Sequence, residues 1–249
     1  MITLKSKREL DIMRDACRAV AEILQEIRPL CRPGVSTGDL DRAAEELTLA
    51  RGLRPAFKGY RGYPRTLCTS VNQEVVHGIP GSRILTEGDV VGLDFGVIDR
   101  GFYGDGAITV PIGQISPELQ TLLRVTEESL YLGIEQMGSG NHLADISKAI
   151  QTRAESAGYS LVREFGGHGI GRRLHEDPMV FNYVVNGRGV RLRPGLVLAI
   201  EPMVNMGRPE VHILSDGWTV VTVDGQASAH FEHTVAVTED GPEILTRVA

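Results

Sequence analysis

Apolar residues first recur at helical spacing. Leu10, Met13, Cys17, Val20, Leu24 and Ile27 lie on one face before Pro29 interrupts the pattern. Ser6, followed by Glu9, supplies a capping box at the start. A second helix is predicted to open at residues 34–37, with Leu40, Ala43, Ala44 and Leu47 on its apolar face and Gly52 at its end. The period then changes. After an irregular aromatic and glycine-rich stretch at 55–64, apolar runs at 67–71 and 75–77 read as strands. Residues 88–110, GDVVGLDFGVIDRGFYGDGAITV, read as two longer strands joined by a tight turn. Helical spacing returns at Ser116-Pro117, an N-cap followed by proline at the first helical position. It predicts one helix to about Met137 and another over 142–157, closed by Gly158. Stretches 161–165, 197–204, 210–214, 218–223 and 230–237 read as β, and the whole as an α+β fold.

Within residues 88–110 one acid sits in each apolar strand, Asp94 and Asp105. A turn at Asp99-Arg100-Gly101 would place them opposite each other, or one residue out of register if Gly101 forms a bulge. Their Cβ atoms would then lie roughly 4.5–8 Å apart. Two such acids repel and lose hydration, so a cation is expected to compensate. A solvent-facing polar stripe is the other reading of this hairpin alone.

The order of blocks suggests duplication. Gly34, Asp39, Leu40, Ala43 and Gly52 align with Gly140, Asp145, Ile146, Ala149 and Gly158 at one constant offset. One residue further out, Gly88 and Asp94 align with Gly195 and Glu201, matching GDVVGLD to GLVLAIE. A duplicated unit packs with pseudo-twofold symmetry, which would bring Asp94 and Glu201 to either side of a shared cleft.

Composition narrows the function. The 249 residues suffice for one large domain or two small ones. A content of 42% hydrophobic and 23% charged residues is ordinary for a soluble globular chain. A net charge of −6 gives no field that favours nucleic acid or an anionic membrane. Cys17, Cys31 and Cys68 are odd in number and unrelated in spacing, which fits free thiols in a reducing cytoplasm. The N-terminal residues lack the apolar core of a secretion signal, and no run approaches about 18 apolar residues. Neither export nor a membrane span is expected.

The second half adds Glu201 in AIEPMV, Glu232 in HFEHTVAV, and GGHGIGRRLHEDP with His168 and His175. Four strand carboxylates and a histidine in a glycine-rich turn form an oxygen-rich set with one nitrogen. Such a set suits divalent Mn, Fe, Co or Zn, and its carboxylates could bridge a pair of ions. HExxH, GxGxxG and GxxxxGK[ST] are all missing. His142 reads as a helix-surface residue, and His212, His230 and His233 as cross-strand residues. His77, in VVHGIPGS, echoes the turn around His168 and reads as a cleft residue, the other reading being a histidine that stabilises its loop.

These motifs occur in a specific order with RPGVSTGDLD, GYRGYP, SVNQEVVHGIP and DGWTV. Together they make the chain resemble the type I methionine aminopeptidases over essentially its whole length. The resemblance implies a pita-bread fold: pseudo-twofold ααββ halves, a central antiparallel sheet and helices on its outer face. It implies a single catalytic domain over 1–249 with halves about 1–110 and 111–249. It implies two divalent ions bridged by Asp105 and Glu232, with Asp94 chelating one and His168 and Glu201 completing the other. Water activated between the ions would attack the scissile carbonyl, with Glu201 as proton shuttle and His77 and His175 contacting the substrate. The implied methionine pocket is Phe57, Tyr60, Tyr63, Cys68, Met203 and Trp218, soft and aromatic as a thioether requires. Asn72, Val75 and Ser228 match a monovalent-cation site of some relatives.

The implied activity is removal of initiator methionine from nascent proteins and peptides whose second residue is small. The implied setting is a cytoplasmic monomer with transient ribosome contact and neither nucleic-acid specificity nor membrane attachment. The chain departs from the family pattern at Gly96, at Gly106-Ala107, at Leu174 and at Arg61, none of them a ligand. The alternatives are another pita-bread hydrolase, prolidase-like or specific for Xaa-Pro, a type II enzyme, and a non-catalytic peptide-binding homologue. The first usually carries an extra N-terminal domain, the second a helical insertion after Ser160, and the third loses ligands that are present here.

Overall fold

The computed structural model describes residues 2–248. Ser6 and Glu9 bond reciprocally, side chain to backbone amide in each direction, and helix α1 (Lys7–Ile27) begins there. Ser36 and Asp39 repeat the device at helix α2 (Thr37–Ala50). The first half continues with strands β1 (Arg54–Pro55), β2 (Leu67–Val71), β3 (Glu74–Val76), β4 (Val90–Asp99) and β5 (Phe102–Pro111). The second half opens with helices α3 (Pro117–Glu135), capped by Ser116, and α4 (Leu143–Ser156). Strands β6 (Ser160–Leu161), β7 (Gly167–Gly169), β8 (Glu176–Val180), β9 (Val197–Ile200) and β10 (Met203–Asn205) follow. The chain ends through β11 (Val211–Ile213), β12 (Val220–Thr222), β13 (Ser228–His230), β14 (Glu232–Thr238) and β15 (Gly241–Ile244).

Two long β stretches in the second half are broken. Residues 197–204 divide into β9 and β10 at Glu201-Pro202, because proline cannot donate to a ladder. Residues 230–237 divide at Phe231, so that β13 and β14 belong to different sheets. Of 161–165 only Leu161 is strand. The short strands β1, β7, β8 and β15 were not foreseen, since two to five residues carry too little alternation to register.

The main sheet runs β1-β4-β5-β14-β9-β7-β8, with β2 also on β4 and β15 on β14. The helices cover it in two pairs. Helices α1 and α2 bury Val20, Ile23, Leu24 and Leu40 against Leu93, Phe95 and Val97. Helices α3 and α4 bury Leu130, Ile134, Ile146 and Ile150 against Leu198, Ile200 and Val235. The halves meet at the β5–β14 pairing, Glu232 opposite Ala107 and His233 opposite Gly106.

The β4–β5 hairpin differs from the expected register. Asp99 pairs with Phe102, so the loop is Arg100-Gly101 alone, with φ of 48° and 81°. Positive φ at both positions is the two-residue turn whose twist matches the strands. Arg100 adopts it while ion-paired to Asp15 and Asp99. Asp94 therefore faces Ala107, and Asp105 faces Gly96. The two acids are diagonal on one face rather than directly opposite or one residue removed.

Candidate metal centre

The seam between the halves gathers the five candidate ligands. Asp94 and Asp105 share a face of β4 and β5, and Glu232 opens β14 beside them. His168 in β7 pairs with Ala199 of β9, and Glu201 follows at the end of that strand. Ligand atoms of Asp105, His168 and Glu232 lie within 4.8 Å of one another. His168 Nε2 is 3.5 Å from Glu201 Oε1 and 3.9 Å from Asp105 Oδ2. His168 Nδ1 is 2.9 Å from the Gly169 carbonyl, which can only accept. The ring proton is therefore on Nδ1, and the Nε2 lone pair faces the carboxylates.

The electrostatics favour a bound cation. Asp94 Oδ1, Asp105 Oδ1 and Glu232 Oε1 are buried without a hydrogen-bond partner among the described residues. Burial raises the Asp94 carboxyl to about 7. Burial, reinforced by neighbouring carboxylates, pushes Asp105, Glu201 and Glu232 well above the usual carboxylate range. Burial lowers His168 to about 3, so the imidazole is neutral and able to ligate. Unpaired buried acids around one neutral imidazole form a donor set for divalent cations.

A pH dependence follows for the metal-free protein. These carboxylates hold protons in the fold that the unfolded chain releases at roughly pH 4. The stabilising contribution of these protonated carboxyls to the metal-free fold is thus fully present below that pH and is lost as pH rises through about 7, the Asp94 value. Thermal melts in chelator should show a lower Tm at pH 7.5 than at pH 5.5. Added Mn²⁺ should raise the pH 7.5 value; a chelated protein more stable at pH 7.5 would contradict the assignment.

Every residue singled out in the sequence as ligand, cleft histidine or pocket wall borders one cavity of about 290 Å³. Its walls are aromatic. Tyr63 meets Trp218 edge to face at 5.1 Å, and its hydroxyl donates to the Leu67 and Gly78 carbonyls, so only the ring is left for the cavity. Trp218 thus both packs and borders the cavity. Tyr60 stacks on His175, and its hydroxyl lies 2.8 Å from His175 Nδ1. His77 is held edge-on between Phe165 and Trp218 with a left-handed φ of 61°, the strained geometry that concentrates at functional sites. Burial lowers the His77 pKa to about 4.

Some features escaped the sequence reading. Phe165 was placed in a strand, yet it lines the cavity. His230 is the cross-strand partner of Met203, as read, but its Nε2 is 3.8 Å from Glu201 Oε2. Its spacing two residues before Glu232 was the available signal, obscured by the break at Phe231. His142 is not on a helix surface but at the N-cap of α4, half-buried. Asn72 and Ser228 do come together, the Ser228 amide donating to the Asn72 carbonyl at 2.9 Å. Their side-chain oxygens bond within the protein, Asn72 Oδ1 to the Val90 amide and the Ser228 hydroxyl to the Val204 carbonyl.

The departures have local reasons. A Cβ on Gly96 would come within 2.9 Å of Phe57 Cε1, so glycine there leaves room for a pocket wall. Leu174 is buried and borders the cavity. Near Gly106-Ala107, the Thr234 hydroxyl donates to the Asp105 carbonyl at 2.7 Å, so a hydroxyl supports this strand from the other half.

Comparison with known proteins agrees with this geometry. Residues 11–239 match the model of metallopeptidase family M24. The chain is 52% identical to methionine aminopeptidase 1 of Bacillus subtilis, covering 100% of both. A solved methionine aminopeptidase from Thermotoga maritima superposes with a TM-score of 0.98 at 45% identity, again over 100% of each chain. A prolidase from Pyrococcus furiosus shares the fold alone, at 20% identity and a TM-score of 0.81 over 66% of its length. The helix-flanked antiparallel sheet is the pita-bread arrangement, and the chain belongs to metallopeptidase family M24.

Proposed function

We propose that this protein is a metal-dependent methionine aminopeptidase that removes N-terminal methionine from proteins and peptides whose second residue is small. The observation that carries this reading is the unpaired buried ligand cluster at the floor of an aromatic, soft-lined cavity. Asp94, Asp105, His168, Glu201 and Glu232 would hold two divalent ions, with Asp105 and Glu232 at the seam bridging them. Bound there, the ions supply Lewis acidity and a water of lowered pKa.

The remaining steps belong to the chain's own groups. Phe57, Tyr60, Tyr63, Cys68, Met203 and Trp218 take the methionine side chain, where a thioether is well matched to aromatic and sulfur contacts. Glu201 accepts the proton of the attacking water on a carboxylate oxygen and returns it to the leaving nitrogen. The Tyr60 hydroxyl donates to His175 Nδ1, leaving Nε2–H to donate to the scissile carbonyl as charge develops on its oxygen. His77 contacts the peptide backbone. Phe165, packed against His77, closes the space beyond the scissile bond and favours a small second residue.

We read residues 1–249 as one catalytic domain whose halves join at the metal cluster. We also infer a cytoplasmic monomer that meets nascent chains in transient contact with the ribosome. The three cysteines are buried and free, in keeping with a reducing compartment. Among the described residues no helix is long and apolar enough to cross a membrane.

The test is the metal-stripped protein, reloaded with Mn, Fe, Co or Zn, against Met-Ala-, Met-Phe- and Ala-Pro- peptides. Methionine should be released from the Met-Ala- peptide at least tenfold faster than from the Met-Phe- peptide. No methionine release with any metal would refute the reading; preferred cleavage of the Ala-Pro- peptide would favour a prolidase-like enzyme.

A further inference from the structure

We propose that His230 is a positioning residue for Glu201: its Nε2–H donates to Glu201 Oε2 and fixes which carboxylate oxygen faces the ligand cluster. His230 closes β13 opposite Met203. A single hydroxyl pins its backbone twice. Thr109 Oγ1 donates to the His230 carbonyl at 2.7 Å and accepts from the His230 amide at 3.1 Å. The residue is 3% exposed, and Nε2 has no hydrogen-bond partner among the described residues. An orphaned buried ring nitrogen is costly, and Glu201 Oε2 lies 3.8 Å away. A side-chain shift of about 1 Å closes that gap to hydrogen-bond distance.

Glu201 is thereby divided between two imidazoles. Oε1 lies 3.5 Å from His168 Nε2, within the ligand cluster, while Oε2 faces His230. The backbone of Glu201 is held separately, since Asn182 Nδ2 donates to its carbonyl at 3.0 Å. His230 therefore governs the carboxylate alone. It is not among the residues bordering the cavity, so it acts through Glu201 and not on the substrate. With Oε2 occupied, Oε1 is the oxygen that would be left for holding an ion beside His168. Outer partners of this kind typically change metal affinity by about 10–100-fold. The inference rests on the proposed reading of Glu201 as a ligand.

The experiment is calorimetric titration of the metal-stripped full chain with Mn²⁺, together with kcat and KM on a Met-Ala- peptide. Wild type, Glu201→Ala, His230→Leu, His230→Gln and His230→Asn are compared, with melts in chelator to check folding. His230→Leu should bind Mn²⁺ about 10–100-fold more weakly. Its kcat should fall about tenfold or more with KM within about threefold, because the substrate contacts are intact. His230→Gln, which keeps an N–H donor at similar reach, should restore both within about threefold, and His230→Asn, whose amide is too short, should not. Unchanged Mn²⁺ affinity in His230→Leu, or a Gln variant as impaired as the Asn variant, would overturn the proposal. Should His230→Leu fail to fold, the Gln and Asn pair alone decides. Wild-type affinity in Glu201→Ala would instead overturn the ligand reading itself, and the positioning role with it.

Discussion

Glu232→Ala and Asp105→Ala are each expected to abolish the binding of a metal pair and to lower turnover by about 10³-fold or more. Both carboxylates lie at the seam where β5 meets β14, so each is positioned to serve ions held by either half. Removing either would leave a single bridging carboxylate to hold the pair together. The loss of Lewis-acid stabilisation alone is worth several kcal/mol, and each ~1.4 kcal/mol is a factor of ten. Calorimetric stoichiometry should fall from two ions per chain to one or none. Near-normal activity in either variant would refute the bridging role. The same carboxylates oppose folding when no metal is present, since burial and mutual repulsion disfavour their charged forms. Glu232→Gln, which keeps the volume and removes the charge, should therefore raise the Tm of the chelated protein at pH 7.5 while eliminating turnover. A variant that loses both activity and metal-free stability would point to a packing role instead.

His175→Ala is expected to lower kcat by about 10²–10³-fold while leaving metal content at the wild-type level. Loss of one preorganised donor to a developing oxyanion has this size. The geometry explains the selectivity of the effect. His175 packs against His168, with ring centroids 4.2 Å apart, so it stands beside the cluster. Its Nδ1 is engaged by Tyr60, which leaves the other nitrogen for the substrate. Burial, with the Arg61 charge as the second cause, lowers its pKa, and the ring donates as a neutral imidazole. Tyr60→Phe should show a smaller loss of the same kind, because it removes only the hydroxyl that sets the tautomer. Loss of metal from His175→Ala, or a change confined to KM, would contradict the role assigned.

Much of the candidate site was legible because each candidate ligand sits in a short, distinctive stretch. A lone acid in an apolar strand is conspicuous, and Asp94, Asp105, Glu201 and Glu232 all stood out that way. The alignment of GDVVGLD with GLVLAIE has a structural counterpart, since β4 begins at Val90 and β9 at Val197, one from each half. What escaped depends on backbone detail. The hairpin register was missed by two residues because Arg100 accepts a left-handed φ that arginine rarely takes. The break at Glu201-Pro202 was hidden by the apolar residues on both sides. Phe165, in the loop between β6 and β7, and His230, in the small sheet that holds β13, reach the site through tertiary packing, which no local period encodes.

The most direct test of the metal cluster is a crystal of the Mn²⁺-loaded protein measured at the manganese absorption edge. The account predicts two anomalous peaks bridged by Asp105 and Glu232, one touching Asp94 and the other touching His168 and Glu201. A single peak, or a pair held by other side chains, would contradict it.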